Sequence, residues 1–406
     1  MSLSLTCFEI FEVNGGWRSW LYLKVHSDSG LVGWSEFTES NGSVKTLVSA
    51  VEVLSVDLVG KEFVDVSLIV LALRKKYRQS LPGILWKAIS AIENALWDLK
   101  SQHDLTPIQT YFPNRLDSKD LLCSRAYWSH CPTTRIRSAD LIGKKSIENE
   151  GDLLQLATEV KQNRFSAIKT NLVSLTPQPQ VHMPGFNKNF ELIKKGLPQD
   201  FSYQLKKTID LISNNNQTLE SIVDCNFNVT HSEFMQLQNA LRSSKIRWIE
   251  IDFDDYASYN SVLDLAELPI CSGENILSLW NFYPILKDPR VDIVSIDLLW
   301  NGLTESLKIA EVAVENSKRI AIHNYYSGLA SSMASVFLEM LPEEALELVE
   351  FDFDDVPWRD DICTNPVQLE FGFLKHTNGL GWNNSITFDG LEEKIIFHKV
   401  IGDSKA

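Results

Sequence analysis

Five residues recur at nearly regular intervals: Asp224, Glu250, Glu274, Asp297 and His323 follow one another by 26, 24, 23 and 26 residues. Each lies at or near the end of a short apolar run, SIVDCN, IRWIE, LPICSGE, DIVSID and RIAIH in turn. If those runs are parallel strands of one barrel, their C-terminal ends converge on one mouth. Three carboxylates brought together there repel one another unless a cation sits between them. An all-oxygen donor set suits a hard ion such as Mg²⁺, so Asp224, Glu250 and Glu274 are candidate metal ligands. Taken singly, each could equally cap a helix or face solvent; three in register favour the metal. His323 alone reads as a structural histidine, but Asp297 one unit earlier changes that reading. A carboxylate bonded to one imidazole nitrogen sets the tautomer and raises the basicity of the other, as a general base requires. Lys169 and Asn171 close an earlier run, FSAIKTN, and Glu350 lies near the end of the last, LELVEF.

The elements that must position these groups are legible in the hydrophobic pattern. Phe8 to Val13, Trp20 to His26 and Leu31 to Phe37 are rich in β-branched and aromatic residues and are separated by Gly- and Ser-containing turns, which predicts a three-stranded antiparallel meander. From Val44 to about Gln102 the period becomes helical, with Ala88, Ile92, Ala95, Leu96 and Leu99 on one face. Beyond Leu122 eight apolar runs, from CSRAYWS to LELVEF, alternate with helical stretches, which predicts a parallel barrel. The expected architecture is thus α/β. An α+β capping domain over residues 1–122 precedes a barrel over 123–365, and a segment over 366–406 packs back on the capping domain.

Composition excludes several classes of function. A formal charge of −15 over 406 residues argues against nucleic acid or an anionic membrane as partner. No apolar run approaches the roughly 18 residues of a membrane span. Six cysteines without a Cys-x-x-Cys pair fit reduced packing residues in a cytoplasmic protein, and MSLSLTCFEIFEV lacks the pattern of a secretion signal.

With these residues in view, the chain resembles the enolase superfamily, in its mandelate racemase-like branch. The resemblance rests on GLVGWSE at 30–36, SAIENALWDLKSQ at 90–102, FSAIKTN at 165–171, VDCN at 223–226, WIE at 248–250, PICSGE at 269–274, VDIVSID at 291–297, IAIHNYYS at 320–327 and NGLGW at 378–382. It implies a modified (β/α)7β barrel, Mg²⁺ on Asp224, Glu250 and Glu274, His323 as base with Asp297 as its partner, and Glu350 as a hydrogen-bonding group. It also implies a small carboxylate substrate and a homo-oligomer between dimer and octamer. The pairing of a Lys or His base with Mg²⁺ is a known pattern of this superfamily. Lys169 supplies an ammonium beside the substrate carboxylate. Many members carry Lys-x-Lys on the second barrel strand, the later lysine acting as a second base. Here the motif is Lys169-Thr170-Asn171, and an amide cannot take a proton. That departure argues against racemisation and resembles the acid-sugar dehydratases, including the galactonate dehydratases, whose products are 2-keto-3-deoxy acids. Those enzymes can carry a histidine two residues after the first metal ligand; this chain has Asn226 there, so the resemblance assigns no leaving-group acid.

The expected reaction is therefore Mg²⁺-dependent dehydration of a sugar acid. Epimerisation or cycloisomerisation through the same enolate stays open, as does a non-catalytic barrel that binds a sugar acid. Two loops are candidates for specificity. Between Lys169 and Asp224 lie 54 residues, about twice the interval elsewhere, and the stretch SLTPQPQVHMPGFNKNF offers His182 and Lys188 as substrate contacts. The Asn14 to Arg18 loop matches the capping-domain loop of the family, with Trp17 and Arg18 placed to exclude water and bind an anionic end.

Overall fold

The structure, a computed structural model, describes residues 2–39, 42–112, 123–183, 197–213, 218–226, 229–252, 256–375 and 379–403. Three antiparallel strands, Leu3–Asn14, Ser19–Ser27 and Val32–Glu36, form the expected meander. The chain returns to complete this sheet, because Ile395–Gly402 pairs with the outer edge of Leu3–Asn14. Helices Val44–Leu58, Val66–Lys76 and Ile84–Asp104 cover it. Ala88, Ile92, Ala95, Leu96 and Leu99 of the longest helix are buried, as its period requires. Gly33 is needed where that helix crosses the meander, since a Cβ there would stand 2.2 Å from the Ala95 carbonyl oxygen.

Eight parallel strands close into a barrel: Cys123–Trp128, Ala167–Asn171, Glu220–Asp224, Ile246–Glu250, Ile270–Ser272, Ile293–Asp297, Arg319–His323 and Leu346–Phe351. All eight lie within or largely overlap the runs picked out by pattern. One segment departs from expectation. Phe373–Lys375, beyond residue 365, pairs antiparallel with the first barrel strand and so extends the barrel sheet before the chain crosses to the capping domain. Among the described residues no helix is long and apolar enough to cross a membrane. All six cysteines are free thiols, and Cys123 is exposed, so it is not the packing residue expected; it begins a strand at the rim of the barrel.

The barrel interior explains where the chemistry sits. Tyr127, Ala167, Ile222, Trp248, Cys271, Ile293, Ala321 and Leu348, one residue from each strand, form a separate buried apolar cluster. Side chains alternate along a strand, so residues two further on face the same interior one layer higher. That layer contains Ser129, Lys169, Asp224, Glu250, His323 and Glu350. The apolar side chains below form the floor of this polar layer.

Capping domain and barrel meet through buried polar contacts. Asn94 donates to the Leu298 carbonyl at 3.3 Å and accepts from the Leu303 amide at 3.1 Å. Glu36 accepts from the Ser327 amide at 3.1 Å, the Ser327 hydroxyl at 2.5 Å and the Ala330 amide at 3.1 Å, placing a carboxylate at the N-terminus of helix Gly328–Leu338. This helix follows the strand that carries His323, so the capping domain helps fix the mouth of the barrel.

Candidate active site

Strand register brings the acids together. Asn171 is level with Asp224, and Asp224 with Glu250, on adjacent strands; Asp297 is level with His323. Glu274 lies two residues beyond its strand. Gly273, at φ +125°, turns the chain there, and a Cβ on it would meet the Ser295 carbonyl oxygen at 2.9 Å. Asp252 accepts from the Ser272 hydroxyl at 3.0 Å and the Gly273 amide at 3.3 Å, bracing the loop that carries Glu274.

Asp224, Glu250 and Glu274 each offer a carboxylate oxygen, and these atoms lie within 4.8 Å of one another. Burial raises all three carboxyls to about 7, and the neighbouring acids add to the effect while Lys169 or His323 opposes it. Hard oxygen donors crowded this closely, with too little positive charge beside them, fit a divalent cation.

Lys169 is fully buried above the Tyr127 ring. Its Nζ lies 2.6 Å from Glu350 Oε1, 3.5 Å from Glu250 Oε2 and 3.8 Å from Asp224 Oδ2. Burial disfavours the ammonium, but Glu250 and Glu350 outweigh it and hold the lysine charged. Glu350 is likewise buried, yet Lys169 and His323 keep it well below the usual carboxylate range.

His323 Nδ1 donates to Asp297 Oδ2 at 2.7 Å. Asp297 is itself held in place, since its Oδ1 accepts from the Trp300 amide at 2.8 Å and its Oδ2 from the Tyr326 hydroxyl. The bond to Asp297 leaves Nε2 facing the mouth, 3.4 Å from Glu274 and 3.7 Å from Glu350. Burial would lower this imidazole, but Glu274, Glu350 and Asp297 raise it to about 10. Across the mouth, Asn171 Nδ2 donates to Asn226 Oδ1 at 2.5 Å and to Asp224 Oδ2 at 3.3 Å. Lys169, Asn226, His323, Trp300, Tyr325 and His130 line one cleft.

The loop residues are placed differently from expectation. Arg18 is not a free anion contact: its guanidinium is buried against Asp352 at 2.9 Å and Asp355 at 2.7 Å, a tie between capping loop and barrel. Trp17 reaches the cleft indirectly, its indole N–H donating to the Tyr325 hydroxyl at 2.7 Å. His182 follows the hairpin Val173–Ser174/Gln180–Val181 and bonds Ser174 Oγ at 2.9 Å, while its neighbour Met183 lines the cleft. Lys188 lies outside the described residues.

Sequence reasoning overlooked Ser129, His130, Trp300, Tyr326 and Asp252. Ser129 was within reach, since it stands two residues past Tyr127 in the first strand and so shares the layer of Lys169. Tyr326 comes from a loop and Trp300 from the short helix Leu298–Asn301, and no strand alternation marks them.

A barrel whose carboxylates, lysine and histidine–aspartate pair converge above an apolar layer belongs to a defined class. Residues 152–389 match the enolase C-terminal domain-like family, and residues 16–111 match the mandelate racemase / muconate lactonizing enzyme N-terminal domain. The chain belongs to the enolase superfamily, whose members bind a divalent metal. It is 22% identical to D-galactarolactone cycloisomerase of Agrobacterium fabrum, over 96% of this chain and 94% of that protein. It is 26% identical to D-galactonate dehydratase of Ralstonia pickettii, over 75% of this chain and 71% of that protein. A crystal structure of a candidate L-alanine-DL-glutamate epimerase from Burkholderia xenovorans LB400, bound to magnesium and fumarate, superposes with a TM-score of 0.88 at 26% identity, covering 96% of each chain.

Proposed function

We propose that this protein is a Mg²⁺-dependent hydro-lyase that removes water from a sugar acid to give a 2-keto-3-deoxy acid. The observation that carries this reading is the asymmetry of the mouth: a histidine–aspartate pair on one side and, on the other, amides where a second base would stand. Removing a proton beside a carboxylate piles a second negative charge on that group, so the site must hold positive charge where the charge develops. Lys169 does so with a buried ammonium that Glu350 fixes in place. When bound by Asp224, Glu250 and Glu274, a divalent cation supplies further positive charge there and offsets the carboxylates that hold His323 protonated. His323 Nε2, with its tautomer set by Asp297, takes the α-proton. β-Elimination then needs only one base, and the imidazolium can return its proton to the departing hydroxyl. Asn171 and Asn226 cannot exchange protons and serve to bind.

The cycloisomerase relative, matched along nearly the whole chain, supports a second reading on the same enolate: elimination of a carboxylate from a lactone, a leaving group that needs no acid. The test is to incubate the Mg²⁺-loaded protein with aldonic acids, aldaric acids and their lactones and to detect 2-keto-3-deoxy products with semicarbazide. Product from a free acid supports dehydration. Product from lactones alone favours cycloisomerisation, and α-deuterium exchange without product would sink both.

A further inference from the structure

His130 follows the first barrel strand, is buried, and has no part in the proton abstraction described above. Its backbone sits at φ +54°, a left-handed conformation uncommon for a residue with a side chain and often found where a site demands it. The ring lines the cleft, tilted at 47° against Tyr325 with 4.0 Å between centroids.

The hydrogen bonds around it determine which ring nitrogen carries the proton. Glu350 is ionised and can only accept, so the Ser129 hydroxyl, 2.5 Å from Glu350 Oε1, must spend its single proton there. Ser129 Oγ also lies 2.6 Å from His130 Nδ1. With its proton already given to Glu350, Ser129 Oγ can only accept from Nδ1–H. Burial, with Lys169 nearby, keeps the imidazole neutral, its value well below that of a free histidine. The remaining nitrogen, Nε2, therefore carries a lone pair. The cleft that His130 lines also holds lysines, amides and carboxylates, with Trp300, Tyr325 and Met183 at its walls.

We propose that His130 Nε2 is a specificity-determining acceptor that recognises a hydroxyl of the substrate. This deepens the sugar-acid reading and rests on it: a lone pair at that position favours a neutral O–H donor and repels a carboxylate. Ser129 acts through His130 as a positioning residue, and through it the tautomer is coupled to the Lys169–Glu350 pair.

Two measurements test this. Nitrogen-15 NMR of histidine-labelled, Mg²⁺-loaded protein, assigned with His130→Gln, should show protonated Nδ1 and unprotonated Nε2 at His130, shifting to a mixture of tautomers in Ser129→Ala. A protonated Nε2 in the wild-type protein overturns the proposal. Calorimetric titration then compares D-galactonate with hexanoate, an acid of the same length without hydroxyls. His130→Leu should weaken D-galactonate by about tenfold, the worth of one hydrogen bond, and leave hexanoate unchanged, while His130→Gln, which can still accept, should recover part of the loss. Equal losses for both acids, equal behaviour of the Leu and Gln variants, or no binding of D-galactonate to wild-type protein would overturn it. The two readings fail separately: a hydroxyl-dependent contrast without α-deuterium exchange removes the enolate chemistry and keeps the role of His130.

Discussion

The two ends of the barrel handle charge in opposite ways. At the N-terminal end, Arg247 lies 2.8 Å from Glu220 and also binds Glu347, and Arg319 reaches Glu347 at 2.8 Å. Glu220 and Glu347 are each paired with arginine, and Arg247, Arg319 and Glu347 border a cavity at this end. At the C-terminal mouth, Asp224, Glu250, Glu274, Glu350 and Asp297 face one ammonium and one imidazole. The first arrangement stabilises a fold and asks for nothing more. The second leaves an excess of negative charge in a buried place, which protons or a cation can offset. Charge that the chain itself does not satisfy marks the working end.

Breaking the base should have the largest effect. His323→Asn is expected to lower kcat by about 10³-fold on whichever acid the product screen identifies, while calorimetry shows divalent-metal binding retained; substantial turnover in that variant would remove His323 from the mechanism. Lys169→Met takes away the ammonium and should cost about 10²-fold in kcat/KM, leaving Glu350 buried with Ser129, the Asn324 amide and His323 as its remaining partners.

Stripping the metal sharpens the comparison further. Asp224, Glu250 and Glu274 sit at about 7 in the folded chain, above the roughly 4 of unfolded carboxylates. The folded state then binds protons more tightly than the unfolded one. Their contribution to stability is full below about pH 4 and is lost as pH rises through about 7. Chelated protein should therefore show Tm falling across that window, and saturating Mg²⁺ should remove the slope; a Tm independent of pH after chelation would contradict the account of the mouth. The smallest effect belongs to the other end. Arg247→Met should cost about 1–2 kcal/mol in urea unfolding, because Arg319 still pairs with Glu347, and should leave kcat unchanged.

Much of this was legible in the chain. The intervals between Asp224, Glu250, Glu274, Asp297 and His323 place one functional group per strand unit, and period-two alternation puts Asp224, Glu250, Asp297 and His323 on the inner face, while Glu274, two residues past its strand, is brought there by the turn at Gly273. That same rule applied to Tyr127 would have found Ser129. Arg18 reads as a substrate contact from the match of the Asn14 to Arg18 loop to the capping-domain loop of the family. Its true partners, Asp352 and Asp355, are more than three hundred residues away and cannot be paired with it by pattern. The hairpin after Lys169 shows the same limit: His182 is occupied by Ser174, and Met183 beside it borders the cleft.

By itself, then, the sequence determined the strand count and the order in which the acids and the histidine reach the mouth, because these depend on residue type and on short-range periodicity along the chain. Only the tertiary structure decided which charges are neutralised, that Asp297 is gripped by Tyr326 and the Trp300 amide, and that the proton of Ser129 leaves an open lone pair on His130. Those outcomes depend on which distant groups come within about 3 Å of one another. Hydrogen bonds and ion pairs fall off steeply with distance and angle, and no spacing along the chain encodes them.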